Sequence, residues 1–166
     1  AVAAARLGAH VRFVGRVGSD GFGEELRRTL QADRVDVAHL GVSQGPSGVA
    51  FIQVDGRGQH SIVVSPGANF AVSKADLADA ALEGSSALVL QLEVPLEVVL
   101  AAARKARQAG LSVILNLAPA QRLSAAQLRD VTHLVVNEHE AGLLLGMPSF
   151  RVTDDAESAA KRLLEL

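Results

Sequence analysis

The stretch ALVLQLEVPLEVVLAAARKARQAGLSVILN, residues 87–116, decides the fold that this sequence predicts. It contains two short apolar runs, residues 87–92 and 111–115, on either side of a longer, alanine-rich segment with basic residues near its end. Short β-branched runs bounded by turn residues are typical of buried parallel strands. Pro95 suits the first position of a helix, and Gly110 suits the position just after its end. We therefore predict a strand, a helix and a second strand parallel to the first.

Polar residues follow both strands, Glu93 after the first and Asn116 after the second. In open α/β sheets, ligands bind at the edge formed by the carboxyl ends of the strands. Glu93 is either a solvated loop carboxylate or a bidentate hydrogen-bond acceptor for a polar ligand such as a sugar diol, and the sequence leaves both interpretations open. Asn116 leads into a loop at residues 118–120, and for it a role in shaping that loop is favoured over ligand binding.

The rest of the chain repeats the alternation of strands and helices. The glycine-rich segment at residues 15–23 contains neither G-x-G-x-x-G nor G-x-x-x-x-G-K-[ST], so it predicts a tight strand-to-helix turn. The repetition predicts a three-layer α/β/α fold, in which a mainly parallel sheet lies between helices. The further expected elements are a helix at 1–7, a strand at 11–17, a helix from Ser19 or Asp20 to about Ala32, a helix at 74–82 after Ser73, a helix at 124–130, a strand at 132–136, a helix at 138–145 and a last helix from Asp154 or Asp155.

Residues 47–65 differ from this alternation because they read as a β-hairpin. Two strand-like runs, residues 47–54 and 60–65, flank the sequence DGRG, which is typical of a hairpin turn. The first run places Val49 and Phe51 on one face and Ile52 and Val54 on the other, so both faces are apolar. A hairpin outside the main sheet would expose one of those faces, and we expect it to cover a ligand or a second copy of the chain.

Composition and charge indicate a globular domain and argue against a protein that binds nucleic acid or membrane surfaces. The chain has 166 residues, of which 49% are hydrophobic and 20% charged, and its net charge is −2. It can form a domain with a core, and it lacks the basic excess of nucleic-acid or membrane-surface proteins. It has no cysteine, and its histidines show no metal-ligand spacing. No apolar run approaches the roughly 18 residues of a membrane span, and no signal peptide is visible. The absence of cysteine is compatible with a reducing cytoplasm, and we expect a cytoplasmic protein without a nucleic-acid or membrane partner.

The sequence NEHE at residues 137–140 lies at a predicted strand-to-helix junction. Asn137 at the N-cap with Glu140 three residues later closely resembles a capping box, which satisfies two unpaired N–H groups. The functional interpretation is a phosphate and metal site, because a helix N-terminus attracts anions and a nearby carboxylate can hold Mg²⁺ through water. The two interpretations can coexist.

Several of these blocks, taken together and in order, resemble the PfkB carbohydrate kinase family, and most of all its ribokinase members. The LNLAPA block resembles the family's Asn-Pro-Ala-Pro-Ala block, with Leu117 in place of a proline. The spacing of Ala1, Gly8 and Gly18 resembles the second half of the family's first signature. The other blocks that carry the resemblance are VGSDGFG at 17–23, SGVA at 47–50 with DG at 55–56, GAN at 67–69, QLEVPLE at 91–97, and NEHEA at 137–141.

The resemblance implies a ribokinase-like fold over residues 1–166, with a β-hairpin lid at residues 43–67 inside it. It implies an ATP-dependent sugar kinase that converts D-ribose to ribose 5-phosphate, with Glu93 contacting ribose, Asn137 serving the ATP phosphates and Glu140 serving Mg²⁺. A homodimer through the lid hairpin and a monovalent cation, K⁺, are also implied. The alternatives are another sugar or nucleoside kinase of this family, or a non-catalytic protein that binds sugar or nucleotide.

The resemblance also implies that the chain is a piece of a longer protein. The family's second signature, Asp-Thr-x-Gly-Ala-Gly-Asp, holds the catalytic Asp and is expected beyond Leu166. The only methionine is Met147, and the sequence begins and ends inside helical patterns, which agrees with this expectation. We therefore expect binding residues but no catalytic residue in these 166 residues, which alone should be inactive and prone to aggregate.

Overall fold

The computed structural model describes residues 1–149, 152 and 155–166. These residues form two units, Ala1–Ala81 and Leu82–Leu166, and each has its own parallel strands and its own buried apolar cluster. Among the described residues, no helix combines the length and the apolar character needed to cross a membrane. The expectation that residues 1–166 form one partial domain with a lid at residues 43–67 stays a prediction.

The first unit begins with helix α1 (Val2–Arg6), strand β1 (Gly15–Gly18), helix α2 (Gly21–Ala32) and strand β2 (Leu40–Ser43). Strands β1 and β2 are parallel, and their buried side chains pack with Phe13 and Leu30. Helix α2 begins after Asp20 and ends at Ala32, as predicted. The strand expected at residues 11–17 is shorter than predicted. Its partner segment turns between Val37 and Leu40, which leaves only an isolated bridge from Arg12 to Asp36 before β1.

The predicted hairpin consists of strands β3 (Val49–Val54) and β4 (His60–Ser65), which pair antiparallel. Its turn is held by Asp55, whose side chain accepts hydrogen bonds from the backbone N–H groups of Arg57 and Gln59. Both faces carry exposed apolar side chains, as the sequence predicted. On one face Phe51, 68% exposed, pairs with Val63, and the other face carries Ile52, 58% exposed, opposite Ile62.

The segment after the hairpin contains two 3₁₀ turns, Gly67–Ala71 and Lys74–Asp76, and helix α3 (Asp79–Leu82). The sequence predicted one continuous helix from residue 74 to residue 82. Ser73 does cap its first turn, in a capping box with Asp76, but Leu77 leaves the helical region with a ψ of 56°. Asp76 is also held by a bidentate hydrogen bond from Arg16 on β1, so the first turn is tied to the sheet rather than continued as a helix.

In the second unit, strand β5 (Ala87–Leu90), helix α4 (Leu96–Gln108), strand β6 (Ser112–Asn116), helix α5 (Ala125–Leu128) and strand β7 (His133–Val135) follow in order. Helices α6 (Glu138–Leu145) and α7 (Ala156–Leu163) complete the described part of this unit. The three strands form a parallel sheet in the order β5-β6-β7. The strand-helix-strand unit predicted at residues 87–116 is therefore confirmed.

Helix α4 packs on one face of this sheet through small side chains. Ala106 and Val113 are both fully buried in the same apolar cluster, because alanine lets the helix approach the strand closely. On the opposite face of the sheet, Val89 and Val135 are 60% and 47% exposed. Strand β6 therefore alternates between a buried face and a more open face, as a strand in a parallel sheet does when it is covered on one side.

The helix ends in this unit follow the predicted capping residues with one exception. Pro95 is the N-cap of α4, with an extended ψ of 129°, rather than its first helical residue. Gly110, just past α4, has a φ of +79°, and Gly146 ends α6 in the left-handed conformation, as predicted. Asp155 caps α7 by accepting from the N–H of Ser158, whereas the alternative cap Asp154 lies outside the described residues.

The Arg16–Asp76 ion pair connects β1 to the segment that follows the hairpin. Its shortest N···O distance is 2.7 Å, and the Asp76 carboxylate also accepts from the backbone N–H and hydroxyl of Ser73. The hydrogen bonds from Arg16 lower the pKa of Asp76, and those from Ser73 act in the same direction. A carboxyl whose pKa is lowered on folding adds stability above its unfolded pKa and loses it as the pH falls through its folded pKa.

Replacing Asp76 by asparagine should therefore lower the urea midpoint of the full-length protein at pH 7. The deficit should shrink as the pH falls below about 4, because Asp76 takes up a proton there in the unfolded protein and only at lower pH in the folded protein. A matched control is Asp33→Asn, because the Arg6 partner of Asp33 is 69% exposed and exposed ion pairs contribute little. Equal midpoint losses for both variants at every pH would contradict this role for Asp76.

Candidate functional site

The carboxyl ends of β5, β6 and β7 lie at one edge of the second unit's sheet, because the three strands run parallel. Backbone pairing continues past the strand ends: Leu92 donates to the carbonyl of Ala118 at 2.8 Å, and Leu117 donates to the carbonyl of Val135 at 3.1 Å. The segments that leave the strands are therefore still held side by side. The sequence-predicted residues Glu93, Asn137 and Glu140 all follow strands that end at this edge.

Glu93 directly follows Leu92, whose side chain is buried in the apolar cluster with Leu115 and Leu117. This burial, with the backbone bond from Leu92, fixes the backbone just before the carboxylate. The Glu93 side chain itself is exposed, and within the described part of the chain no hydrogen bond or ion pair engages it. Both of its oxygens can therefore accept hydrogen bonds from a ligand. The same exposed position also fits the other interpretation, a carboxylate that is solvated by water.

Asn137 and Glu140 form the predicted capping box at the start of α6. The Asn137 side chain accepts from the Glu140 N–H at 2.8 Å, and Glu140 accepts from the backbone N–H and the side-chain amide of Asn137 at 2.8 and 3.1 Å. Glu140 is only 6% exposed, and each of its carboxylate oxygens takes one of these bonds. The capping interpretation is therefore confirmed, and the phosphate and metal interpretation stays a prediction that can hold alongside it.

The start of α6 has the electrostatic character of an anion site. Helix N-termini carry partial positive charge and unpaired N–H groups, and this one opens at the edge where the strands end. Among the described residues, no group of three or more histidine, aspartate or glutamate side chains converges as a metal cage. One buried carboxylate, Glu140, suits Mg²⁺ that is held mainly by substrate phosphates and water, which is how proteins usually bind this ion.

Asn116 and the loop after it lie between the two groups of site residues. Strand β6 is the middle strand, so β5 and β7 are about 10 Å apart at the usual interstrand spacing. The residues that follow Asn116 are bonded to both neighbours, to β7 through the Leu117 N–H and to the end of β5 through the Ala118 carbonyl. This agrees with the loop-shaping role favoured for Asn116, because the segment after it spans the gap between Glu93 and Asn137.

Sequence reasoning missed a second polar cluster, in the first unit. Asp20 was expected only as a possible cap for α2, yet its carboxylate also binds the backbone and hydroxyl of Ser47. The two residues are 27 positions apart, so no local pattern connects them. The available signal was Ser47 itself, a polar residue directly before the hairpin in an SGVA block, but its burial could not be foreseen.

Comparison with known proteins relates the whole chain to one family of enzymes. Residues 1–166 match the model of the pfkB family of carbohydrate kinases. The ribokinase of Haemophilus influenzae is 40% identical over 164 residues, which cover 97% of this chain and 52% of that protein. The deoxyribokinase of Salmonella typhi is 36% identical over 169 residues, covering 99% and 55%. The chain thus spans about half the length of the curated relatives it matches.

Solved structures give the same result for the fold. The ribokinase of Cryptococcus neoformans in complex with ADP aligns with a TM-score of 0.81 at 30% identity, covering 98% of this chain and 53% of that one. The ribokinase of Arabidopsis thaliana complexed with ribose and ATP aligns with the same TM-score at 26% identity, covering 97% and 55%. The predicted ribokinase-like α/β fold is therefore confirmed.

The capping box leads to a stability prediction. Asn137→Ala should lower the free energy of unfolding of the full-length protein by about 0.5–2 kcal/mol, because the Glu140 N–H loses its acceptor. Asn137→Ser should recover most of the loss, since serine caps helices nearly as well as asparagine. Urea unfolding of the two variants measures the difference. If the alanine variant is as stable as wild type, the box does not stabilise α6.

Proposed function

The chain belongs to the pfkB family of carbohydrate kinases, and from this premise we propose that the full-length protein transfers the γ-phosphate of ATP to D-ribose, giving ribose 5-phosphate and ADP. The observation that supports this proposal most directly is the position of Glu93, Asn137 and Glu140 after strands that end at one sheet edge. The relatives include ribokinases, one of them solved with ribose and ATP. In phosphoryl transfer, positioning and charge stabilisation supply most of the rate, so the binding residues matter directly.

Glu93 orients the sugar in this proposal. An exposed carboxylate on a fixed backbone can accept hydrogen bonds from two neighbouring sugar hydroxyls, which fixes the rotation of the ring. Fixing the ring places the hydroxyl to be phosphorylated in line with the γ-phosphate. Glu93 therefore acts through binding and orientation and takes no proton itself.

Asn137 and Glu140 organise the phosphate end of the site. The N-terminus of α6 favours the anionic phosphates of ATP, and Asn137 keeps this terminus in place by capping it. Glu140 would hold Mg²⁺ through water while it remains in the capping box. When bound, the ion neutralises charge on the phosphate oxygens. The general base, a carboxylate, and the K⁺ site are expected in the part of the protein outside these 166 residues, which alone should not turn over substrate.

The hairpin of β3 and β4 would serve as a lid and as a subunit interface. Its two apolar faces are both exposed along the strands, so each needs a partner. One face would close over the bound sugar and exclude water from the reaction, and the other would pack on the hairpin of a second copy to form a homodimer. A kinase that uses ATP and a free sugar would act in the cytoplasm.

A second candidate is a kinase of the same family that acts on a different sugar or on a nucleoside. The deoxyribokinase relative supports this alternative, since its identity is close to that of the ribokinases. A phosphorylation screen over ribose, deoxyribose, hexoses and nucleosides with the full-length protein separates these possibilities. Ribose should give the highest kcat/KM. Absence of phosphoryl transfer to every sugar and nucleoside would favour a protein that only binds its ligand.

Glu93→Ala in the full-length protein should raise the KM for ribose by about tenfold or more, because hydrogen bonds to a charged acceptor are lost. The KM for ATP should change by less than about twofold, since the phosphate end of the site is untouched. The matched control is Glu97→Ala, an exposed carboxylate in the first turn of α4 to which no ligand role is assigned. Unchanged ribose kinetics in Glu93→Ala would remove Glu93 from the site.

Charged substitutions on the hairpin should separate its two proposed roles. Phe51→Asp and Ile52→Asp place the same charge at neighbouring positions on opposite faces of β3, so each disturbs one face. One variant should shift the protein from dimer to monomer in sedimentation velocity, and the other should raise the KM for the sugar. If neither variant alters the oligomeric state, the hairpin is not the subunit interface.

A further inference from the structure

The base of the hairpin contains a buried polar cluster that the phosphotransfer scheme does not use. Ser47 is only 2% exposed, and its hydroxyl donates to one carboxylate oxygen of Asp20 at 2.7 Å. Its backbone N–H donates to the other oxygen at 2.9 Å, and the hydroxyl also accepts from the N–H of Gly18 at 2.9 Å. The hydroxyl and the backbone N–H of Ser47 are therefore both hydrogen-bonded to residues of the turn between β1 and α2.

The Asp20 carboxylate both caps α2 and binds Ser47. The oxygen that accepts from the Ser47 hydroxyl also accepts from the N–H of Gly23, which caps α2, at 2.9 Å. The hydrogen bond from the Ser47 hydroxyl is the main cause of a lowered pKa at Asp20, and the N–H groups of Ser47 and Gly23 add to it. The group is therefore held as the anion, which is the form that can accept all of these bonds.

Both legs of the hairpin meet at this cluster. On the entering leg, the Ser19 N–H donates to the Gly45 carbonyl at 3.0 Å, and on the leaving leg the Ala68 N–H donates to the Pro46 carbonyl at 3.0 Å. The backbones are in close contact, since a Cβ atom at Gly18 would lie 2.2 Å from the Ser47 nitrogen. No side chain could be accommodated there without moving the hairpin leg. The hairpin is thus joined to the end of β1 where its two legs come together.

We propose that Asp20 and Ser47 are positioning residues that set the placement of the hairpin, and through it the affinity for the sugar. We call this pair the hairpin anchor. The proposal rests on the proposed function, in which the hairpin covers the sugar. The residues of β3 are exposed along their whole length, so the strands themselves give the hairpin little support within the first unit. The anchor at its base is then the contact that limits how far the hairpin can swing.

Asp20→Asn separates the anchor from the helix cap. Asparagine keeps one oxygen, which can still accept from the Gly23 N–H and cap α2. The other oxygen becomes an NH₂ group, a donor that faces the Ser47 N–H, so the bond from the Ser47 backbone is lost and two donors oppose each other. The Ser47 hydroxyl can still donate to the oxygen that remains. The matched control is Asp155→Asn, the same substitution at the N-cap of α7, where the side chain accepts from the Ser158 N–H.

In the full-length protein, Asp20→Asn should raise the KM for the sugar by about fivefold or more, with kcat and the KM for ATP within about twofold of wild type. Amide hydrogen exchange across residues 49–65 should become at least about tenfold faster, while exchange in α2 stays unchanged. Ser47→Ala removes the hydroxyl bond to Asp20 and the acceptor of the Gly18 N–H, and it should act in the same direction. Asp155→Asn should leave the sugar KM and hairpin exchange at wild-type values.

The outcomes decide between an anchor and a simple helix cap. Faster exchange in α2 that matches the change in the hairpin would mean that Asp20 only caps the helix, and the proposal would be overturned. A sugar KM in Asp20→Asn equal to that of Asp155→Asn would overturn it as well. If the wild-type protein phosphorylates no sugar, the proposed function fails, and hairpin exchange alone then decides whether Asp20 and Ser47 anchor the hairpin.

Discussion

The parallel pairing of β5, β6 and β7 is the constraint on which the candidate site depends. Parallel strands end at the same edge, so the residues that follow them share an edge without being close in sequence. Burial of Val113 and Leu115 under α4 fixes the register of the middle strand, because a slip by one residue would turn these side chains to the open face. The places of Glu93 and Asn137 follow from this apolar packing, although neither residue takes part in it.

Much of this arrangement could be predicted from the sequence because the signals are local. Apolar runs ending on Glu93 and Asn116 gave the strands, Gly110 and Gly146 gave the helix ends, and the spacing of Asn137 and Glu140 gave the capping box. Each of these depends on residues within a few positions of one another. The order of the motif blocks then pointed to the family, which the match over residues 1–166 confirmed.

The features that could not be predicted depend on contacts between distant residues. The helix expected at residues 74–82 is broken where Arg16, far away in sequence, binds Asp76, and the strand expected at residues 11–17 is shortened by a turn in its partner. The bond between Asp20 and Ser47 likewise joins the hairpin to a helix start that the sequence treats separately. For Glu93, the same exposed position suits a ligand and solvent equally, so only measured binding distinguishes the two.

Leu117 restrains the backbone through contacts with other parts of the second unit. The related block carries a proline at this position, and a proline has no N–H, whereas Leu117 uses its N–H to bond Val135 and buries its side chain completely. A ring restricts one dihedral angle from within the residue, while a ladder bond and a packed side chain restrict it from outside. The backbone at Leu117 is therefore restrained by its hydrogen bond to β7 and by its packing in the core. A substitution that weakens either contact would free this backbone, whereas a proline ring would still restrict it.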